Sequence, residues 1–267
     1  MAAAQGLRSR IRFGSLKTET RLTILLFLVS FFISGMPRVY TQTAAHTLFL
    51  DLYGSAALPY AYFAEALFVP FIGWLYMLAE RRLPIRSLLL GVLAVDMLVL
   101  TAFRVCIGLG VPFSAAGTIV WFEVEFVLSS LVLWGLANHM MTLRQGKRLF
   151  GFVSAGEPVA IIACGLTTPM LLKFLRPEDL FLFSALGAGI GMGLIVAIKA
   201  RFEPAAGGHE EEVEGEEEED GPAAGTDQPW WKNRYIQVMV FTLILAQLCY
   251  FILDNAFYME ASARYPE

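Results

Sequence analysis

The sequence predicts an all-α polytopic membrane protein, built as a six-span N-terminal helical block followed by a seventh span. Hydrophobic residues make up 57% of the 267 positions and charged residues only 16%, against roughly 45–50% and about 25% in soluble domains. Seven apolar stretches each approach the length of about 20 residues that a helix needs to cross a bilayer. They occupy residues 22–40, 57–79, 87–107, 113–138, 150–172, 179–198 and 235–256.

The basic residues fall in alternate gaps between these stretches. Fifteen of the 20 Lys and Arg lie before the first stretch or just after the second, fourth and sixth. Lys and Arg mark the cytoplasmic side of a membrane. We therefore expect a cytoplasmic N-terminus and a multi-pass chain whose main partner is the lipid bilayer.

Composition divides the chain into four segments. Residues 1–21 form a basic cytoplasmic segment, and residues 22–200 form the six-helix block. Residues 201–233 contain an acidic run that is flanked by glycines. The run has no apolar partner to bury, so we expect this segment to be a disordered cytoplasmic linker. Residues 234–267 form the seventh span, which we interpret as the start of a second block.

Ionisable residues inside the spans are the candidate functional residues. A charge at the bilayer centre costs about 2.5–3.5 kcal/mol, so such groups usually face a cavity or a partner. The candidates for a substrate or ion path are Arg38, Glu65, Glu123, Glu125, Glu157 and Asp254.

Helix geometry refines these candidates. Glu123 and Glu125 are two positions apart and point about 200° away from each other, so only one of them faces a shared cavity. Arg38 and Arg104 each lie roughly 24–26 Å along their predicted spans, close to the outer surface. Pro158 weakens the helical turn beside Glu157. A carboxylate at such a turn suits the coupling of transport to protons or cations, and a simple kink in the helix is the alternative. Asp96 lies near mid-depth on the third span. We expect the first, second, fourth and fifth spans to line the path, so Asp96 is a weaker candidate than the acids on those spans.

Other sequence patterns argue against a soluble or catalytic function. The three cysteines and three histidines have no metal-like spacing, and no catalytic motif is present. We therefore expect no enzyme activity, cofactor, metal site or nucleic-acid partner. The glycines at positions 187, 189, 191 and 193 predict close helix packing and not a dinucleotide loop.

One stretch carries a family resemblance. Residues 134–165 read WGLANHMMTLRQGKRLFGFVSAGEPVAIIACG, which resembles the ATP:ADP antiporter (nucleotide translocase) family, a group of major-facilitator-like twelve-span carriers with bacterial relatives. Two shorter stretches are similar in place and character: Leu75 to the Arg81-Arg82 turn, and DNAFYMEASARYP from Asp254 to Pro266. The resemblance implies a major-facilitator-like six-span block and a bacterial inner-membrane location.

The resemblance also bears on the substrate. The family's nucleotide carriers have an Arg followed by a Lys-Asp pair at the end of span one. Arg38 matches the first position, but residues 39–45 contain neither Lys nor Asp, and Tyr258 stands where a basic residue usually follows the span-seven aspartate. A polyanion would lack the cations it needs in a low-dielectric path.

Two classes of function follow. The first is a secondary transporter of a small molecule or ion by alternating access, with a central site between two six-span blocks. The excess of carboxylates favours a cationic or neutral solute, or proton coupling. The alternative is a membrane-anchored sensing or scaffolding module without transport activity, joined to soluble domains.

Overall fold

The computed structural model describes residues 19–111, 113–206 and 234–264, and in these ranges the chain is helical without a β-strand. The N-terminal segment up to residue 18 and most of the acidic linker, residues 207–233, lie outside them. The described helices are α1 (Glu19–Tyr53), α2 (Leu58–Glu80), α3 (Ile85–Gly108), α4 (Ser114–Met140), α5 (Leu143–Ser154), α6 (Gly156–Leu171), α7 (Leu180–Ala206) and α8 (Arg234–Arg264).

Seven stretches of helix are long and apolar enough to cross a membrane, with the fifth, Gln145–Leu171, made of α5 and α6 together. This confirms the predicted helical class and number of spans, and it gives the chain the architecture of a multi-pass membrane protein. Large apolar side chains such as Phe63, Leu98 and Leu166 are well exposed. Unpartnered apolar helix faces of this kind fit a lipid environment.

The first span is much longer than predicted. We expected it to end at residue 40, but the helix continues to Tyr53. The extension contains Thr41, His46 and other polar residues that lower its hydropathy. It remains helical because Thr41 and His46, with Ala44 and Phe49, are buried against neighbouring helices.

Helix α1 changes geometry near its middle. Residues Ser30–Gly35 form a π-helical segment, and Pro37 follows at the start of the next α-helical stretch. Proline lacks the backbone N–H that an α-helical turn needs, and a π turn is a common local adjustment at such positions. The segment divides α1 into an N-terminal half, which we call the inner half, and a C-terminal half, which we call the outer half.

Glycines let α1 lie close to two other helices. A Cβ added to Gly156 of α6 would overlap the backbone oxygen of Phe27, and one added to Gly191 of α7 would overlap Ile33. At Gly187, an added Cβ would lie 2.9 Å from the backbone oxygen of Phe32. The predicted close packing of the span-six glycines is confirmed at Gly187 and Gly191.

Ion pairs tie the helices together at both ends of the block. Glu19 of α1 accepts hydrogen bonds from Arg148 at 2.6 Å and from the Gln145 side chain at 3.0 Å. At the opposite end, Arg104 of α3 donates from Nε to Asp179, just before α7, at 2.7 Å. This pairing explains why a charge at position 104 is tolerated near the predicted outer surface.

Candidate functional site

Arg38 lies in the middle of α1. It is 19 residues from Glu19 and 15 from Tyr53, which places it roughly 28 Å and 22 Å from the helix ends. Because the helix extends beyond residue 40, Arg38 does not lie near its end. Arg38 is therefore available to groups in the interior of the helical block.

The Arg38 guanidinium lies over aromatic rings of α4. Its central carbon is 4.0 Å from the Phe126 ring centroid and 5.4 Å from that of Phe122. Its Nη1 is buried and has no hydrogen-bond partner among the described residues. A cation over an aromatic face is stabilised electrostatically, and one Arg38 donor stays available.

Three carboxylates from three other spans gather near Arg38. Glu123 of α4 interacts electrostatically with Arg38 and with Asp254 of α8. Glu65 of α2 interacts with Glu123 and Asp254. It is only 4% exposed, and its Oε2 has no hydrogen-bond partner in the described part of the chain. We call Arg38, Glu65, Glu123 and Asp254 the polar cluster.

Asp254 is held by side chains that the sequence reasoning missed. Tyr62 of α2 donates a hydrogen bond from its hydroxyl to Asp254 Oδ2 at 2.8 Å. The His46 Nε2 lies 3.9 Å from the same oxygen, and its Nδ1 is 3.0 Å from the Gln42 carbonyl oxygen. Nδ1 must carry the proton to donate to that carbonyl, so a second proton on Nε2 would make His46 a cation facing Asp254.

These contacts attach span seven to the block. The Tyr258 ring stacks on His46 with centroids 5.0 Å apart, and Phe251 contacts Tyr62 at 4.8 Å. Most other described residues of α8 are exposed. The sequence shows only that each set shares a helix face: Arg38, Gln42 and His46 are four apart, as are Asp254 and Tyr258.

Glu125 points away from the polar cluster, as the spacing predicted. It is 3% exposed and interacts with Asp96 of α3, whereas Glu123 interacts with Arg38 and Asp254. Glu125 also lines a crevice too narrow for a water molecule, which lies between α1 and α4 beside Arg38. The crevice is lined by Ser34, Pro37, Arg38, Phe122, Glu125, Phe126 and Ser129.

Glu157 is not brought into the cluster. It lies in the first turn of α6, where its backbone contacts the α1 crossing at Gly35. No hydrogen bond or ion pair joins its side chain to the rest of the described chain. The predicted weak turn before Pro158 is present, because the helix is interrupted at Ala155 between α5 and α6.

The arrangement suits the binding of small cations or protons. Three carboxylates face one arginine and one histidine, so the region has an excess of acidic groups over permanent cations. Within the described residues, no group of three or more His, Cys, Asp or Glu is arranged to hold a metal ion. The cysteines described there, Cys106, Cys164 and Cys249, are free thiols.

Comparison with known proteins identifies no relative. No protein-family model matches this chain, and neither the curated proteins nor the solved structures contain a match to it.

Proposed function

We propose that this chain forms the substrate-binding part of a secondary transporter for a small organic cation, working by alternating access. The observation that carries the proposal is the polar cluster. Spans one, two, four and seven each contribute one ionisable residue to it. In the sequence, the linker lies between spans one, two and four on one side and span seven on the other. A passive anchor has no need of four such groups, because each is costly inside a membrane.

The cluster's chemistry specifies the solute class. Glu65, Glu123 and Asp254 outnumber the one arginine of the cluster, and the rings of Tyr62 and Tyr258 lie beside Asp254 or its partner His46. Carboxylates and aromatic faces together bind ammonium groups. Because Arg38 and His46 compete for the same carboxylates, release of these internal pairs can accompany solute binding.

Reconstituted protein provides the test. Proteoliposomes with an imposed pH gradient are supplied with radiolabelled putrescine, choline or lysine, while an internal dye reports proton movement. We expect uptake of at least one cation, reduced more than tenfold by Glu65→Gln or Asp254→Asn. Glu80→Gln is the matched control, because Glu80 is exposed at the end of the same helix as Glu65. Uptake that is absent, or unchanged in both cluster variants, contradicts the proposal.

The likeness of residues 134–165 to the ATP:ADP antiporters is consistent with a carrier but does not favour nucleotide exchange. The cluster contains one arginine against three carboxylates, and a triphosphate would add several negative charges to it. We therefore expect external ADP to release no preloaded ATP from proteoliposomes.

A sensing or scaffolding module is the second candidate. It is favoured by α8, whose apolar surface is largely unpartnered and which contacts the block through a few side chains near Asp254. The two candidates differ in solvation. A water-soluble thiol reagent labels cysteines placed at positions 65 and 157 if a solvated path exists, and labels neither if the spans form only a sealed anchor.

A further inference from the structure

A second pair of buried carboxylates lies outside the polar cluster. Asp96 of α3 is 5% exposed and Glu125 of α4 is 3% exposed. Asp96 is 11 residues from Ile85 and 12 from Gly108, so it sits at the middle of its span, roughly 16–18 Å from each end. The proposed transport path uses neither residue.

One indole group brings the two acids together. Trp121 of α4 donates a hydrogen bond from Nε1 to Asp96 Oδ1 at 3.1 Å. Glu125 follows Trp121 by four residues and therefore lies on the same helix face, one turn away. In agreement with this geometry, Glu125 interacts electrostatically with Asp96.

The two carboxyl groups differ in their hydrogen bonds. Asp96 accepts the Trp121 proton, whereas neither Glu125 oxygen has a hydrogen-bond partner among the described residues. The neighbouring hydroxyl is that of Thr41, which donates its proton to Ser184 at 2.8 Å.

Charged groups on the surrounding helices are engaged elsewhere or lie at a distance. On α1, Arg38 faces Glu123 and the Phe126 ring. On α7, Lys199 is 15 residues from Ser184, roughly 22 Å along the helix.

On α2, the nearest titratable side chains are also committed to other groups. Glu65 faces Glu123 and Asp254. Tyr76 packs against Val124 and Leu128 and interacts with Glu80. Trp121 and the Thr41 hydroxyl face the Asp96–Glu125 pair. Arg38 borders the same crevice as Glu125, but neither Glu125 oxygen has a hydrogen bond to it.

From this geometry, we infer that Asp96 and Glu125 form a buried proton-binding site that holds one proton on Glu125 at neutral pH. Two adjacent carboxylates in a low-dielectric site cannot both ionise without a neutralising cation. Trp121 stabilises the charge on Asp96, whereas no described donor stabilises a charge on Glu125. The inference does not depend on transport, because the pair binds its proton whether or not a solute crosses the membrane.

Infrared difference spectroscopy tests this site. Full-length protein in lipid nanodiscs is titrated from acid to alkaline pH in potassium buffer, and the carbonyl band of protonated carboxylic acids is followed. We expect Glu125→Gln to remove the intensity of one carboxylic acid at neutral pH. Asp96→Asn removes the neighbouring negative charge, so the Glu125 band should remain at acidic pH but disappear at a lower pH than in the unmodified protein. Glu80→Gln, at an exposed position, is expected to leave the neutral-pH band unchanged.

Three results overturn the inference. A Glu125→Gln spectrum identical to that of the unmodified protein shows that Glu125 is ionised. Loss of the band on adding sodium at constant pH shows that the pair is a sodium site. If Glu125→Gln fails to fold, Glu125→Asp keeps the acid and should move the frequency of that one band. An unmoved band then also overturns the inference.

Discussion

The two halves of α1 make different kinds of contact. The inner half, before the π-helical segment ends at Gly35, meets α6 and α7 through glycines and apolar side chains. The outer half, from Arg38 to His46, meets α4, α7 and α8 through an arginine over aromatic rings, hydroxyl pairs and a histidine beside an aspartate. One helix therefore combines a close-packed half with a polar half.

The difference indicates which contacts can change during function. Backbone-to-backbone packing at glycines has one good arrangement, because interiors are close-packed and deform little. Hydrogen bonds and ion pairs can be exchanged for bonds to a solute or to water. We therefore expect the inner half to determine stability and the outer half to determine activity.

The largest expected effect is on the inner half. Gly156→Ala places a Cβ against the backbone oxygen of Phe27, which cannot move without displacing a helix, so we expect a loss of about 3 kcal/mol in unfolding free energy. Gly165→Ala on the same helix is the control, because its added Cβ meets nothing within 4 Å. Reversible unfolding in mixed micelles measures both. Equal stabilities would contradict the close crossing.

Arg38→Met tests the polar half. It removes the permanent cation that interacts with Glu123 and lies over the Phe122 and Phe126 rings, and a desolvated cation–π contact is worth about 2 kcal/mol. We expect a loss of about 2 kcal/mol in the same unfolding assay, together with loss of cation uptake. Arg264→Met is the control: its pair with Glu260 is exposed, and such pairs are worth about 0–1 kcal/mol. Unfolding that matches this control would remove Arg38 from the cluster.

Tyr62→Phe is a finer change. It deletes the hydroxyl that donates to Asp254 at 2.8 Å, and a net hydrogen bond to a charged group is worth about 1.5–3 kcal/mol. Because α8 has few other contacts with the block, we expect weaker attachment of α8, seen as a wider distribution of spin-label distances between α2 and α8. Tyr60→Phe, at an exposed position on the same helix, should leave that distribution unchanged.

The smallest effect is expected at the outer end. Arg104→Gln breaks the pair with Asp179, in which both side chains are partly exposed. Pairs of this kind contribute up to about 1 kcal/mol and weaken with salt. The loss of stability should therefore be about 0.5 kcal/mol at low ionic strength and smaller at high ionic strength. A salt-independent loss would show that packing, and not charge, is what Arg104 provides.

Local features were predictable from the sequence. The apolar stretches gave seven spans, the two-residue spacing gave the divergence of Glu123 and Glu125, and the glycine series gave the packing of α7 against α1. These properties depend on lengths and angles within one helix. The extension of α1 was missed because Thr41 and His46 are buried among other helices, which hydropathy along the chain does not register.

Partners across helices were not predictable from one sequence. His46 looked isolated until Asp254, more than 200 positions away in the sequence, came beside it. Asp96 was a weak candidate because the third span was not expected to line the path. In the structure, it is buried beside Trp121 and Glu125. Which side chains meet depends on the rotation and packing of whole helices, and no spacing along the chain encodes that.

The most direct test of the account compares two cysteines on α4. In a protein whose native cysteines are replaced, Glu123→Cys and Glu125→Cys are treated with a membrane-impermeant thiol reagent in right-side-out and inside-out vesicles. A transport path through the polar cluster predicts labelling of position 123 from both sides and little labelling of position 125, which packs against α3. Absence of labelling at position 123 from either side, or equal labelling of both positions, would contradict it.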